Sequence, residues 1–135
     1  MSLSDAAAAA SASPYLTKSS FVRATACERL AWLSWHQRRP YEEPAPGSPA
    51  AVGIEIGLHA QRLFPGGVLV DQPPWAHDEA VDETRRLMAD PAVCAIFEAA
   101  FEADGIRISA DVLERLPGGR WGLREVKSST RVKAD

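Results

Sequence analysis

Apolar residues recur at helical spacing through residues 17–39, TKSSFVRATACERLAWLSWHQRR, with Phe21, Ala24, Leu30 and Leu33 on the repeating positions. Thr17 or Ser19 is placed to cap the start of that helix. The Pro-rich run 40–49 reads as a loop. Residues 50–64, AAVGIEIGLHAQRLF, form a second expected helix, stopped by Pro65-Gly66-Gly67. VLVD (68–71) predicts a short strand and QPPWA (72–76) a loop. A third helix is expected over 77–90, HDEAVDETRRLMAD, with acidic residues in the first turns where the helix dipole favours them. Asp90-Pro91 then reads as the N-cap and first residue of a fourth helix, PAVCAIFEAAFE. Residues 105–116 alternate as a strand. Pro117-Gly118-Gly119 supplies a turn, and RWGLREVKSST (120–130) returns as the second strand of a hairpin. Helices followed by paired strands predict an α/β (α+β) fold, a mixed central sheet with flanking helices. No internal repeat is visible.

The return strand carries the chemistry. Alternation sends Trp121, Leu123, Glu125 and Lys127 to one face, and Gly122, Arg124, Val126 and Ser128 to the other. A carboxylate and an ammonium on a half-apolar face are costly unless each has a partner or a metal. On the preceding strand Asp111 shares a face with Ser109 and Leu113, and the PGG turn brings it towards Glu125. Two carboxylates converging from adjacent strands make a hard-oxygen site suited to Mg²⁺ or Mn²⁺. Such an ion offsets the repulsion between the acids, acidifies a bound water and polarises a phosphoryl oxygen. Lys127 is placed to position that water and to stabilise developing negative charge.

Bulk properties narrow the field. The 135 residues suit one domain, and 46% hydrophobic with 24% charged residues describes a chain that folds. A net charge of −3 excludes a dedicated, strongly basic nucleic-acid coat but leaves room for a local basic site. Arg120, Arg124, Lys127, Arg131 and Lys133 form such a run, readable as a solvated edge or as backbone-phosphate contacts. Cys27 and Cys94 form no CxxC pair, which favours a reduced compartment, the cytoplasm. No apolar run approaches ~20 residues, so no membrane partner is expected. Residues 1–14 lack the basic and Leu-rich regions of a signal peptide and read as a disordered Ala/Ser-rich tail, with the folded domain over 15–135. A chain that stops soon after its most loaded strand suggests the N-terminal piece of a longer protein or a truncated reading frame.

The pattern Asp-x13-Glu-x-Lys across a hairpin resembles the PD-(D/E)XK nuclease superfamily. SAD at 109–111 stands where that family has its metal-binding Asp, and EVK at 125–127 matches its (D/E)xK element. GLHAQRLF (57–64) looks like the G-x-H helix of the RecB-like branch, which includes the CRISPR-adaptation exonucleases, and His59 matches the His that joins the metal site there. LTKSSFVRATACERLAWL (16–33) is similar to the opening of the same branch, where a Cys at the position of Cys27 is the first ligand of a [4Fe-4S] cluster. FPGGVLVD and IFEAAFEADGIRISADVLER resemble a bacterial family of uncharacterised RecB-like nucleases, so the likeness runs from about residue 15 to the end.

The resemblance implies a restriction-endonuclease-like core and a metal-dependent DNA exonuclease acting on single strands or duplex ends. In that reading Asp111, Glu125 and Lys127 are catalytic, His59, Asp111 and Glu125 hold Mg²⁺ or Mn²⁺, and Cys27 is a cluster ligand. Two departures stand out. The three further cysteines of the cluster and the Gln-x-x-x-Tyr helix after the EVK strand are both absent, so the core is expected to be incomplete and no assembled cluster is expected in this chain.

Each feature has a plainer reading. Asp111, Glu125 and Lys127 also describe a cross-strand ion-pair cluster contributing ~0–1 kcal/mol. His59 and Glu55 also describe a helix surface, and Cys27 a small buried hydrophobe. Cys94, within AVCAIF, reads as core, and Trp32 and Trp35 as packing rather than a base-stacking platform. Ser128, Ser129 and Thr130 either donate to a phosphate or end the strand. The competing function is a catalytically inactive nucleic-acid-binding or assembly module with the same fold.

Overall fold

The computed structural model describes residues 15–37 and 42–127. In chain order the elements are β1 (Leu16–Thr17), α1 (Lys18–Ala26), α2 (Glu28–His36), α3 (Pro49–Gln61), β2 (Val68–Leu69), α4 (His77–Ala89), β3 (Ala95–Ala103), β4 (Ile106–Leu116) and β5 (Arg120–Arg124). The expected α+β class is found: a mixed sheet ordered β1-β4-β3-β2, with β5 also paired to β4. β1 runs parallel to β4 and β2 parallel to β3, while β5 runs antiparallel to β4. No described helix is long and apolar enough to cross a membrane.

The chain divides into two compact units, one of residues up to Arg39 with Glu102–Ile108, the other of Pro40–Phe101 with Ser109 onward. In the first unit Thr17 caps α1 through a capping box: Ser20 N–H donates to Thr17 Oγ1 at 3.2 Å, and Thr17 N–H donates to Ser20 Oγ at 2.7 Å. The single helix expected over 17–39 is two helices. Cys27 is extended (φ −164°, ψ 114°), ending α1 and starting α2. Beside the break, the Thr25 hydroxyl donates back to Val22 O at 2.9 Å, a bond that competes with the helix ladder. Glu28 then sits in the first turn of α2, where its charge suits the dipole. Leu16 N–H donates to Gly105 O at 2.8 Å, and the Arg107 guanidinium lies 3.4 Å from the Tyr15 ring centroid and 2.9 Å from Glu102.

The second unit holds the core. Its larger cluster packs Val81 and Leu87 of α4 against Ile96, Ala99, Ala100, Ala110 and Leu113 of the sheet. A smaller cluster joins Ala95, Phe97 and Val112 to Phe64 and Val126. Ile96 is fully buried, which contributes about 1.5–3 kcal/mol. The expected fourth helix over PAVCAIFEAAFE is therefore corrected: Ala95–Ala103 is a strand. Asp90 caps a turn instead of a helix, its Oδ1 accepting from Ala92 N–H at 2.9 Å. The unbroken run Ala95-Ile96-Phe97 is buried because β3 is an inner strand, between β2 and β4. Cys94, expected in the core, is exposed, with its Sγ 3.5 Å from Pro65 O. Cys27 is exposed as well, contrary to the buried-hydrophobe reading.

Arg115 fastens the end of α4 to the hairpin. Its guanidinium donates to Val93 O (2.7 Å), Met88 O (3.1 Å) and Asp90 O (2.6 Å), and it lies 4.2 Å from the centroid of the Trp121 ring. The PGG turn works as expected, with Gly118 and Gly119 at φ 78° and 72°, where side chains are disfavoured. Thr84 is the buried polar link between layers: its hydroxyl donates to Ala80 O at 2.8 Å and accepts from Ala100 N–H at 2.9 Å. Thr84→Val should strand the Ala100 N–H and cost about 1–3 kcal/mol in urea denaturation, whereas Thr84→Ser, which keeps the oxygen, should cost less. Equal losses in the two variants would mean that packing, not the hydrogen bond, is the contribution of Thr84.

Candidate functional site

A cleft of about 770 Å³ opens within the second unit. One wall is the face of α3 bearing Gly53, Ile54, Gly57 and Leu58. The segment after β2 contributes Asp71 through Pro74, and α4 contributes His77 and Ala80. The sheet contributes Glu98, Ala100, Ser109 and Asp111, with Val126 beside them.

Asp111 is half-buried, and its Oδ2 accepts from Val126 N–H at 2.6 Å. That bond fixes the carboxylate and leaves the other oxygen for the cleft. Ser109 lines the cleft with it, as expected, while Leu113 turns into the core. The β4–β5 register ends on the pair Val112 with Arg124, so Asp111 and Glu125 are the first residues beyond it. The pairing expected through residue 130 stops at Arg124, however, and residues 128–130 lie outside the described ones. Glu125 and Lys127 follow the strand as exposed chain, 3.5 Å apart as an ion pair, and neither lines the cleft. His59 is exposed on α3, its Nδ1 3.2 Å from Arg62 Nη1, and it too lies outside the lining, although Gly57 belongs to it. Arg124 of the basic run is engaged by Glu114 at 2.8 Å. Arg131 and Lys133 lie outside the described residues.

Glu98 is the site residue that the sequence reading missed. It stands on β3 with φ 55°, in the left-handed region that an L-residue adopts only when held there. Its side chain opens to the cleft, yet the surrounding protein displaces enough water to raise its pKa above the ordinary 4.5, and the negative charge of Asp111 raises it further. A lone Glu inside an apolar run was the available signal. Assigning that run to a helix placed Glu98 on a solvated face and hid it.

Among the described residues no three His, Cys, Asp or Glu side chains are grouped closely enough to hold one metal ion between them. Glu98 and Asp111 remain an all-oxygen donor pair whose mutual repulsion a hard divalent cation would relieve, and in that respect they fit Mg²⁺ or Mn²⁺. The chain's two cysteines do not fit a four-cysteine [4Fe-4S] cluster by themselves. No protein-family model, curated protein or solved structure matches the chain.

Because the folded-state pKa of Glu98 is raised, the native state holds the proton more tightly than the unfolded chain. Its contribution to stability is therefore greatest below the ordinary value of 4.5 and is lost as pH rises through the raised one. Glu98→Gln should raise Tm relative to wild type at about pH 7, and the gain should vanish near pH 4. NMR titration should show the Glu98 carboxyl falling part of the way back in Asp111→Asn, burial being the larger cause. A Glu98 that titrates at the ordinary value would sink this account.

Proposed function

We propose that this chain hydrolyses phosphodiester bonds of nucleic acid with the help of a divalent metal, as a cytoplasmic DNA exonuclease of the RecB-like PD-(D/E)XK kind. The observation that carries the reading is the meeting of Glu98 and Asp111 in one cleft, with Asp111 and Glu125 the residues next beyond the last hairpin pair, Val112 with Arg124. A bound Mg²⁺ or Mn²⁺ would supply Lewis acidity and a water acidified to near-neutral pKa. Asp111, steadied by the Val126 N–H, offers one fixed oxygen to such an ion, and Glu98 offers a second. Glu125, just past the strand end, is the other acid of the expected set of His59, Asp111 and Glu125, to which Glu98 is an addition. Lys127, whose ammonium stands 3.5 Å from the Glu125 carboxylate, is placed to orient a water beside that acid and to compensate negative charge on the phosphoryl oxygens. In the overall step water adds to phosphorus, the P–O bond to the leaving sugar breaks, and that oxygen takes up a proton.

The competing reading, a module that binds nucleic acid without cutting it, draws on one observation: Glu125 and Lys127 pair with each other outside the cleft lining. Mn²⁺-dependent degradation of end-labelled single-stranded DNA separates the two. Wild type should degrade the strand, and Asp111→Asn and Glu125→Ala should each lower the rate on the order of 10²-fold or more. Cleavage that survives both substitutions would remove these residues from the chemistry.

Metal binding is tested separately. Mg²⁺ or Mn²⁺ at about 100 times Kd should add ~2.7 kcal/mol to folding stability, and Asp111→Asn should abolish the increment. A melting temperature indifferent to both ions would leave the carboxylates as a surface charge cluster.

A further inference from the structure

We propose that Trp75, on the segment that borders the cleft, is a base-stacking residue, so that the site takes an unpaired nucleotide with its base against the indole; this rests on the nuclease reading. Trp75 is 76% exposed, an unusual position for the largest side chain. It lies on a short segment whose neighbours on both sides, Pro73 and Pro74 before it and His77 after it, line the cleft.

The segment is held rather than loose. Ala76 N–H donates to Pro73 O at 2.9 Å, closing a turn with Trp75 at its third position. Gln72 Nε2 donates to Glu83 Oε2 at 3.0 Å, tying the segment to α4 on one side. His77 Nε2 lies 3.2 Å from Phe101 O, tying it to β3 on the other. Two consecutive prolines fix their own φ angles and remove further freedom. A backbone held in this way lowers the ordering entropy that a base contact at Trp75 costs.

The chemistry of the surroundings selects the ligand. Deeper in the cleft lie Glu98 and Asp111, which suit a cation and the phosphate it attracts, not a second acidic or apolar protein surface. A strand whose phosphodiester reaches those acids carries a base one bond system away, and every base has a π-face for an indole. A paired base has both faces already stacked, so the contact selects single strands or frayed ends.

The test is fluorescence anisotropy with a labelled thymidine oligomer of about ten nucleotides, within the site sizes common for single-strand binders, and with its abasic counterpart. Ca²⁺ replaces Mn²⁺ so that the strand stays intact. Trp75→Ala should weaken binding of the thymidine oligomer about tenfold and leave the abasic oligomer unchanged, while Trp75→Phe should keep most of the affinity. Matching Tm values would show that all three proteins are folded.

Unchanged thymidine binding in Trp75→Ala, or an equal loss for both oligomers, overturns the inference. So does a change confined to self-association in sedimentation, which would make Trp75 a protein contact. Mn²⁺ cleavage run in parallel separates the two readings. Base-dependent loss without cleavage by wild type keeps Trp75 and removes the nuclease. Cleavage with an unchanged KM in Trp75→Ala keeps the nuclease and removes Trp75. Failure of wild type to bind or cut either oligomer removes both.

Discussion

The left-handed backbone at Glu98 is the constraint on which the second unit turns. A non-glycine residue there costs about 1–2 kcal/mol, so the surrounding packing has to impose it. The packing is visible on both sides. Ala95 and Phe97 face one cluster and Ile96 the other, but beyond Glu98 both Ala99 and Ala100 enter the cluster of Ile96. Simple alternation cannot put two consecutive residues in one core, and the irregularity at Glu98 resolves the conflict. The same irregularity presents a carboxylate to the cleft from a strand whose residues on either side of it, Ala95 to Phe97 and Ala99 to Phe101, are apolar. Core packing and site geometry are two consequences of one backbone feature.

The other half of the site depends on the hairpin. Asp111 is aimed by a main-chain N–H from residue 126, so its position follows the path of the chain after β5. That path is set by the PGG turn, by the five paired positions from Val112 to Leu116, and by Arg115, which stacks on Trp121 while holding the carbonyls at the end of α4. Asp111 and Glu98 therefore sit on paired or buried backbone, the kind of support that keeps a charged site to a narrow geometry. Glu125 and Lys127 lie past the last paired residue and lack that support.

How much of this was legible in the sequence follows from where local and tertiary signals agree. α4 was read correctly because its amphipathic period and acidic first turn say the same thing. The β4–β5 hairpin is legible as far as Arg124 because alternation and two consecutive glycines agree, but the expected continuation through Lys127 is not strand. β3 was misread because Ala, Phe and Glu at a proline-led start satisfy a helix pattern, and only burial between two neighbouring strands decides otherwise. The error spread to the site. Asp111 lies on an alternating strand and stands out in the sequence, whereas Glu98 lies on the misassigned run and does not. The break at Cys27 is invisible in the sequence because apolar spacing continues across it and no Gly or Pro marks the place.

The setting of Glu98 links stability to function. Desolvation is the larger cause of its raised pKa, and Ile54, Leu58, Ala80 and Ala100 are the apolar part of a cleft lining that also carries Gln61, Gln72, His77 and Ser109. Partial burial makes the ionised carboxylate less favourable, and Asp111 repels it. The same burial also strengthens its attraction for a cation, since the low dielectric that penalises a lone charge magnifies a paired one. A residue that lowers stability when ionised and alone is retained more readily where a bound ion reverses the sign of its contribution. A left-handed backbone and a raised carboxyl pKa thus coincide at one residue, Glu98.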